Sequence, residues 1–151
     1  SPVPGFRAWF DARIAAGEAE PTAAERKALA KALKVDASPP LKQLLADPKW
    51  PKDGARTTAL AKPLLRLMAK YLLEAKREDG AARDPVAHFH LSNGARVERL
   101  NWLADASARG LRQSLGMMVN YRYDLADIEA NHEAYAGEGR VTAAAAVNSL
   151  V

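Results

Sequence analysis

The sequence predicts an α+β fold, predominantly helical with a few strands. Three observations carry that expectation. From Thr58 to Arg77, Leu60, Leu64, Leu67, Tyr71 and Ala75 recur on one helical face, and Leu65, Met68 and Leu72 widen it. A helix apolar over so much of its girth is largely buried. Thr22 followed by Glu25 is a capping-box pattern that opens a second helix. Residues 96–104 alternate instead, with Leu100, Trp102 and Ala104 on one face, which is the period of a strand.

The remaining elements run in order along the chain. Ser1 to Gly5 contains two prolines and a glycine and reads as a rigid turn. Phe6, Trp9, Phe10 and Ile14 then repeat at helical spacing up to Gly17, a natural left-handed stop. The Thr22 helix runs to about Lys34, with Leu29 and Leu33 facing inward and Lys27, Lys31 and Lys34 forming a basic stripe outside. Residues 36–54 are broken by Pro39, Pro40, Pro48, Pro51 and Gly54, leaving room for a short helix from Leu41 to Ala46. Pro63 reads as the first turn of the long helix or as a kink in it. Asp84 before Pro85 reads as an N-cap and first helical residue, and Gly94 as the stop. His90 is therefore expected near the end of a short helix. Met117 to Tyr123 reads as a second strand, Leu125 to about His132 as a helix, and Val141 to Val151 as a final helical run.

Composition narrows the chemistry. With 48% hydrophobic and 26% charged residues among 151, the chain is of globular type and has length enough for a core. The absence of cysteine excludes a disulfide framework, a thiolate metal site and a cysteine nucleophile. No apolar run approaches membrane-spanning length. The net charge of +4 suits an anionic partner, nucleic acid or a phosphate-rich group such as coenzyme A, and equally suits plain solubility. Alanine- and arginine-rich usage suggests a bacterial source.

The three histidines are His88, His90 and His132. On a helix, His88 and His90 lie about 200° apart and cannot share one metal, and no third ligand stands at zinc spacing. Taken alone, His90 is a packed or capped histidine and Ser1 a turn residue. Tyr121-Arg122-Tyr123 is an aromatic–basic run of the kind that stacks on bases, so a basic helical module for nucleic acid or protein is one reading of the residues.

Two segments point elsewhere. Ser1-Pro2-Val3-Pro4-Gly5-Phe6 and Pro85-Val86-Ala87-His88-Phe89-His90-Leu91-Ser92-Asn93-Gly94-Ala95 resemble the active-site segments of the malonyl-CoA decarboxylase family. The likeness continues through Asn101-Trp102, Ser107 to Gly110, Ser114, Gly116, Asn120-Tyr121-Arg122-Tyr123 and Tyr135. It covers essentially the whole chain and is densest over 83–123. The resemblance implies that Ser1 and His90 are the catalytic pair; nothing carries over to His88. Asn93, Asn101, Asn120 and Tyr121 become candidate supporting residues, and Arg122 or the lysine stripe candidate contacts for coenzyme A phosphates.

The resemblance further implies the C-terminal half of a GNAT-like acyl-CoA domain, a fragment of a larger chain. It divides the sequence into a helical insertion at about 18–80, His-bearing and strand segments at 84–123, and terminal helices at 125–151. It implies malonyl-CoA as substrate, no cofactor beyond the coenzyme A of that substrate, and no metal. Expected partners are the rest of the polypeptide, namely an N-terminal helical domain and the first half of the catalytic domain, and further copies in a homo-oligomer, with no nucleic acid and no membrane. The expected setting is the bacterial cytoplasm and fatty acid metabolism. A GNAT-type acyltransferase is the competing enzymatic reading. A serine nucleophile fits less well, since no Gly-x-Ser-x-Gly elbow surrounds Ser1.

Overall fold

The computed structural model describes residues 1–151. It is mostly helical around a small antiparallel sheet. The elements are α1 (Phe6–Ala15), α2 (Ala23–Leu33), α3 (Leu41–Ala46), a 3₁₀ turn (Trp50–Lys52), α4 (Gly54–Glu74), α5 (Pro85–Ser92), β1 (Arg96–Asn101), α6 (Ala108–Ser114), β2 (Met118–Arg122), α7 (Ile128–Glu138) and α8 (Ala145–Asn148).

The long helix α4 is the spine. Leu60, Leu64, Leu67, Met68, Tyr71 and Leu72 are all buried along it. The predicted capping box on α2 is present in both directions: Thr22 Oγ1 accepts from Glu25 N–H, and Glu25 Oε1 accepts from Thr22 N–H. Glu25 is also clamped by Arg66 of α4 through two bonds of 3.0 Å. Burial would raise the Glu25 carboxyl, but Arg66 and the Thr22 N–H outweigh it and hold it below its ordinary value of 4.5.

Several boundaries differ from expectation, each for a local reason. The long helix begins at Gly54 because Asp53 Oδ1 accepts from Arg56 N–H. Pro63 thus stands inside it, beyond the first turn. It ends at Glu74 because Ala75 O accepts from Arg83 N–H and Lys76 bridges Ala82, folding the chain back on itself. Strand β1 stops at Asn101, and Leu103 turns the chain at φ +50°. A bulge between Val97 and Arg99 shifts the register; Val97 enters the core, Leu100 and Trp102 of the expected face pack against it, and Ala104, beyond the strand, is exposed. The helix predicted over 125–132 starts at Ile128, since Asp124 organises a turn through residues 124–127, and continues to Glu138 with Gly139 as its left-handed cap. The final run is helical only over Ala145–Asn148. Thr142 O and Ala144 N–H are taken by Val97, which holds this stretch extended along β1. Helix α6 had no apolar period to announce it; Ser107 caps it through Gly110 N–H. The lysines of the α2 stripe are exposed. No helix is long and apolar enough to cross a membrane.

Strands β1 and β2 pair antiparallel, and the sheet they form fixes the start of the chain. On the free edge of β2, Ser1 exchanges both backbone bonds with Val119, at 2.8 and 3.0 Å. The first residue therefore lies beside the strand that ends in Tyr121-Arg122, just before Tyr123.

Candidate active site

Three remote segments meet at His90. Helix α5 brings it there, in the last turn before Asn93. Asp84 starts that helix: its Oδ2 accepts from Val86 and Ala87 N–H at 3.1 and 3.0 Å. Ser1 Oγ stands 3.1 Å from His90 Nε2, across 89 positions of sequence. On the other side of the ring, Tyr123 Oη lies 2.7 Å from Nδ1. Tyr121 stacks on the ring face, with centroids 4.3 Å apart and planes 20° from parallel. Tyr121 and Tyr123 both reach the ring because residues two apart on an extended chain face the same way.

Burial of the imidazole, seconded by the charge of the Ser1 α-amine, lowers the His90 pKa from its usual 6.5. In a polypeptide extended upstream, that amine would be a peptide N–H able to donate the same bond to Val119, and burial alone would act. The ring is then neutral at neutral pH, with one nitrogen donating and the other accepting. Ser1 and Tyr123 each offer a hydroxyl that serves in either sense. The ring can thus hand a proton from one side to the other.

The segment carrying Ser1 is fixed by its neighbours. Val3 and Phe6 are fully buried, and the Phe6 ring meets Tyr71 edge-on at 5.7 Å. Gly5 N–H donates to Asp84 Oδ1 at 3.2 Å, and Tyr71 O–H donates to the same oxygen at 3.2 Å. A side chain at position 5 would collide with the Tyr71 hydroxyl, so this contact requires glycine. Asp84 is itself buried, and burial raises its carboxyl further than the bonds from Ala87, Gly5, Tyr71 and Val86 lower it. Burial likewise raises the Tyr121 phenol, whose buried oxygen has no hydrogen-bond partner.

Of the expected site residues, the structure brings Ser1, His90 and Tyr121 together. The three asparagines bond elsewhere. Asn93 donates to Phe89 O in its own helix, and Asn101 donates to Asn120 across the strands. By strand alternation Asn120 projects from the sheet face opposite Tyr121. His88 points away from His90, its Nδ1 meeting the Tyr135 hydroxyl at 2.7 Å, while His132 Nδ1 donates to Ser92 O. Tyr121 lays its ring face on His90, which takes one aromatic face out of the run that suggested base stacking, while Tyr123 meets the imidazole through its hydroxyl. Tyr123 and Asp84 are the contributors that the residue-level reading left without a site role. The signal for Tyr123 was its two-residue spacing from Tyr121; Asp84 gave only its capping pattern.

Comparison with known proteins gives this geometry its context. The model of the malonyl-CoA decarboxylase C-terminal domain matches residues 1–151. The mitochondrial malonyl-CoA decarboxylases of Anser anser anser and Rattus norvegicus are each 40% identical over the whole chain, which spans 31% and 32% of their lengths. Among solved structures, the malonyl-CoA decarboxylase of Rhodopseudomonas palustris superposes with a TM-score of 0.84 at 43% identity, over 100% of this chain and 32% of that one. The Agrobacterium vitis protein does so with 0.82 at 44% identity, over 99% and 34%.

Proposed function

The chain belongs to the malonyl-CoA decarboxylase family, and on that premise we propose that it supplies the Ser–His pair with which the complete polypeptide converts malonyl-CoA to acetyl-CoA and carbon dioxide. The chain spans about a third of the length of its relatives, so the rest of the polypeptide is part of the proposal: a helical N-terminal domain and the first half of a GNAT-like catalytic domain. Within this chain the proposed division is a helical insertion at about 18–80, the site-bearing segments at 84–123 and the terminal segments at 125–151. The single observation that carries the reading is the 3.1 Å approach of Ser1 Oγ to His90 Nε2.

Decarboxylation needs the substrate carboxylate turned out of the thioester plane, so that the electrons of the breaking C–C bond flow into the carbonyl and leave an enolate. The thioester is its own electron sink, and the reading calls for no metal and no organic cofactor. Ser1 O–H donates to a substrate oxygen, and His90 Nε2–H, donating to Ser1 Oγ, strengthens that hydroxyl as a donor to the oxygen charge that develops. One pre-placed donor of this kind is worth roughly 3–4 kcal/mol of barrier. The enolate carbon then takes a proton along the line Tyr123 Oη, His90, Ser1 Oγ. Tyr123 O–H passes its proton to Nδ1 as Nε2–H passes to Oγ and Oγ–H to carbon. Tyr123 is 45% exposed, so solvent can restore its proton, and the net consumption is one proton per turnover.

The proposed setting is the bacterial cytoplasm and fatty acid metabolism. Alanine- and arginine-rich composition supports a bacterial source. A homo-oligomer belongs to the same reading and is checked by light scattering. The test of function uses the full-length polypeptide: carbon dioxide release from malonyl-CoA by wild type, Ser1→Ala and His90→Asn. Losses of orders of magnitude in folded variants are expected. Wild-type protein that releases no carbon dioxide, or variants as fast as wild type, would remove the proposal.

A further inference from the structure

Asp84 occupies the one place where the two arms of the site share an anchor. From Asp84, helix α5 runs six residues to His90, about 9 Å along its axis. From Gly5, the chain runs four residues back to Ser1, a reach of at most about 14 Å. The two arms start at one carboxylate, since Oδ2 caps α5 and Oδ1 holds Gly5 N–H. Strand β2 closes the figure, with Val119 bonded to Ser1 and Tyr121 stacked on His90. A helix cap needs only one side-chain oxygen. The second oxygen of Asp84 serves a segment 79 positions away.

We propose that Asp84 is a positioning residue for the decarboxylation, setting the distance between Ser1 and His90 by clamping the Ser1–Gly5 turn to the start of the helix that carries the imidazole; this rests on the proposed decarboxylase function. Asp84 touches neither residue of the pair. It acts through Gly5 on one arm and through Val86 and Ala87 on the other. Tyr71 shares Oδ1 with Gly5 and holds that oxygen toward the turn. An error of about 1 Å in such a pair lowers turnover by about a hundredfold.

The test separates clamping from capping. Asp84→Ser keeps a good helix N-cap, but its single short hydroxyl cannot also reach Gly5. In the full-length polypeptide, Asp84→Ser is expected to lower kcat by about 10- to 100-fold with KM within about twofold of wild type, in protein that still melts cooperatively. The crystal structure of the variant is expected to show Ser1 Oγ beyond hydrogen-bond reach of His90 Nε2. Wild-type kcat, or an intact Ser1–His90 contact in the variant, would overturn the inference. Should Asp84→Ser not fold, Tyr71→Phe decides the matter. It deletes one donor to Oδ1 and is expected to lower kcat about threefold at unchanged KM; an unchanged kcat overturns the inference. Failure of the wild-type protein to decarboxylate malonyl-CoA would sink the functional reading instead, leaving the variant's Ser1–His90 distance to decide the clamp.

Discussion

The helical part of the chain, α2 to α4, and the corner around His90 are held together in opposite ways. In the first, the polar contacts are mostly near in sequence: the Thr22–Glu25 box and the Asp53 cap, with longer links from Arg66 to Glu25 and from Arg56 to Leu44 O. In the second, both hydrogen bonds to the imidazole cross a long stretch of chain, 89 positions to Ser1 and 33 to Tyr123. The first region resists unfolding through apolar burial. The second holds a geometry whose members are exposed or half-buried and add little to stability. The two should therefore answer differently to substitution.

The largest effect is expected at the imidazole. His90→Ala in the full-length polypeptide should lower kcat by about 10² to 10⁴, while the unfolding free energy moves by no more than about 2 kcal/mol; steady-state kinetics and denaturant titration read the two. Glu25→Ala should do the reverse, removing a cap and leaving Arg66 without its carboxylate. A loss of about 1–3 kcal/mol in stability is expected, with kcat unchanged in protein kept folded. Gly5→Ala should move both readouts and blur the contrast. Its methyl enters the space of the Tyr71 hydroxyl, costing about 1–3 kcal/mol and displacing the turn that carries Ser1. Tyr123→Phe is milder. It removes one hydrogen bond to Nδ1, worth about 1 kcal/mol, and is expected to lower kcat some fivefold while the melting temperature moves by no more than about 4 °C.

The smallest effect is in pH. The Glu25 carboxyl is held below its ordinary 4.5 in the folded chain. Its stabilising contribution is complete above that value and is lost as the pH falls through it toward the folded pKa. Melting temperatures measured from neutral pH down through 4.5 should fall less steeply for Glu25→Gln than for wild type.

The same contrast governs how much of the molecule is legible in its sequence. The helical half is legible because its determinants are local: period in α4, the capping box in α2, proline spacing around α3. What the residues hid was decided between segments. The β1 bulge at Val97–Arg99 and the diversion of Thr142–Ala144 onto the edge of β1 follow from pairing that no single window contains. The site divides likewise. Ser1 and His90 are named by resemblance, and their meeting required coordinates. Tyr121 is a candidate in the sequence, but its role as a stacking partner is a matter of ring planes. Asn93, Asn101 and Asn120 looked equally suited as polar neighbours, yet each found a closer partner first.

The three-sided grip on the His90 ring has a dynamic consequence. A half-exposed histidine ordinarily samples several rotamers and turns about its outer bond. Here any such turn must break contacts at both nitrogens and slide one aromatic plane off another. Side-chain freedom is surrendered when the chain folds, at a cost of up to about 1–2 kcal/mol, and need not be surrendered again in each turnover. The stability of the scaffold has thus already met part of the entropy of activation.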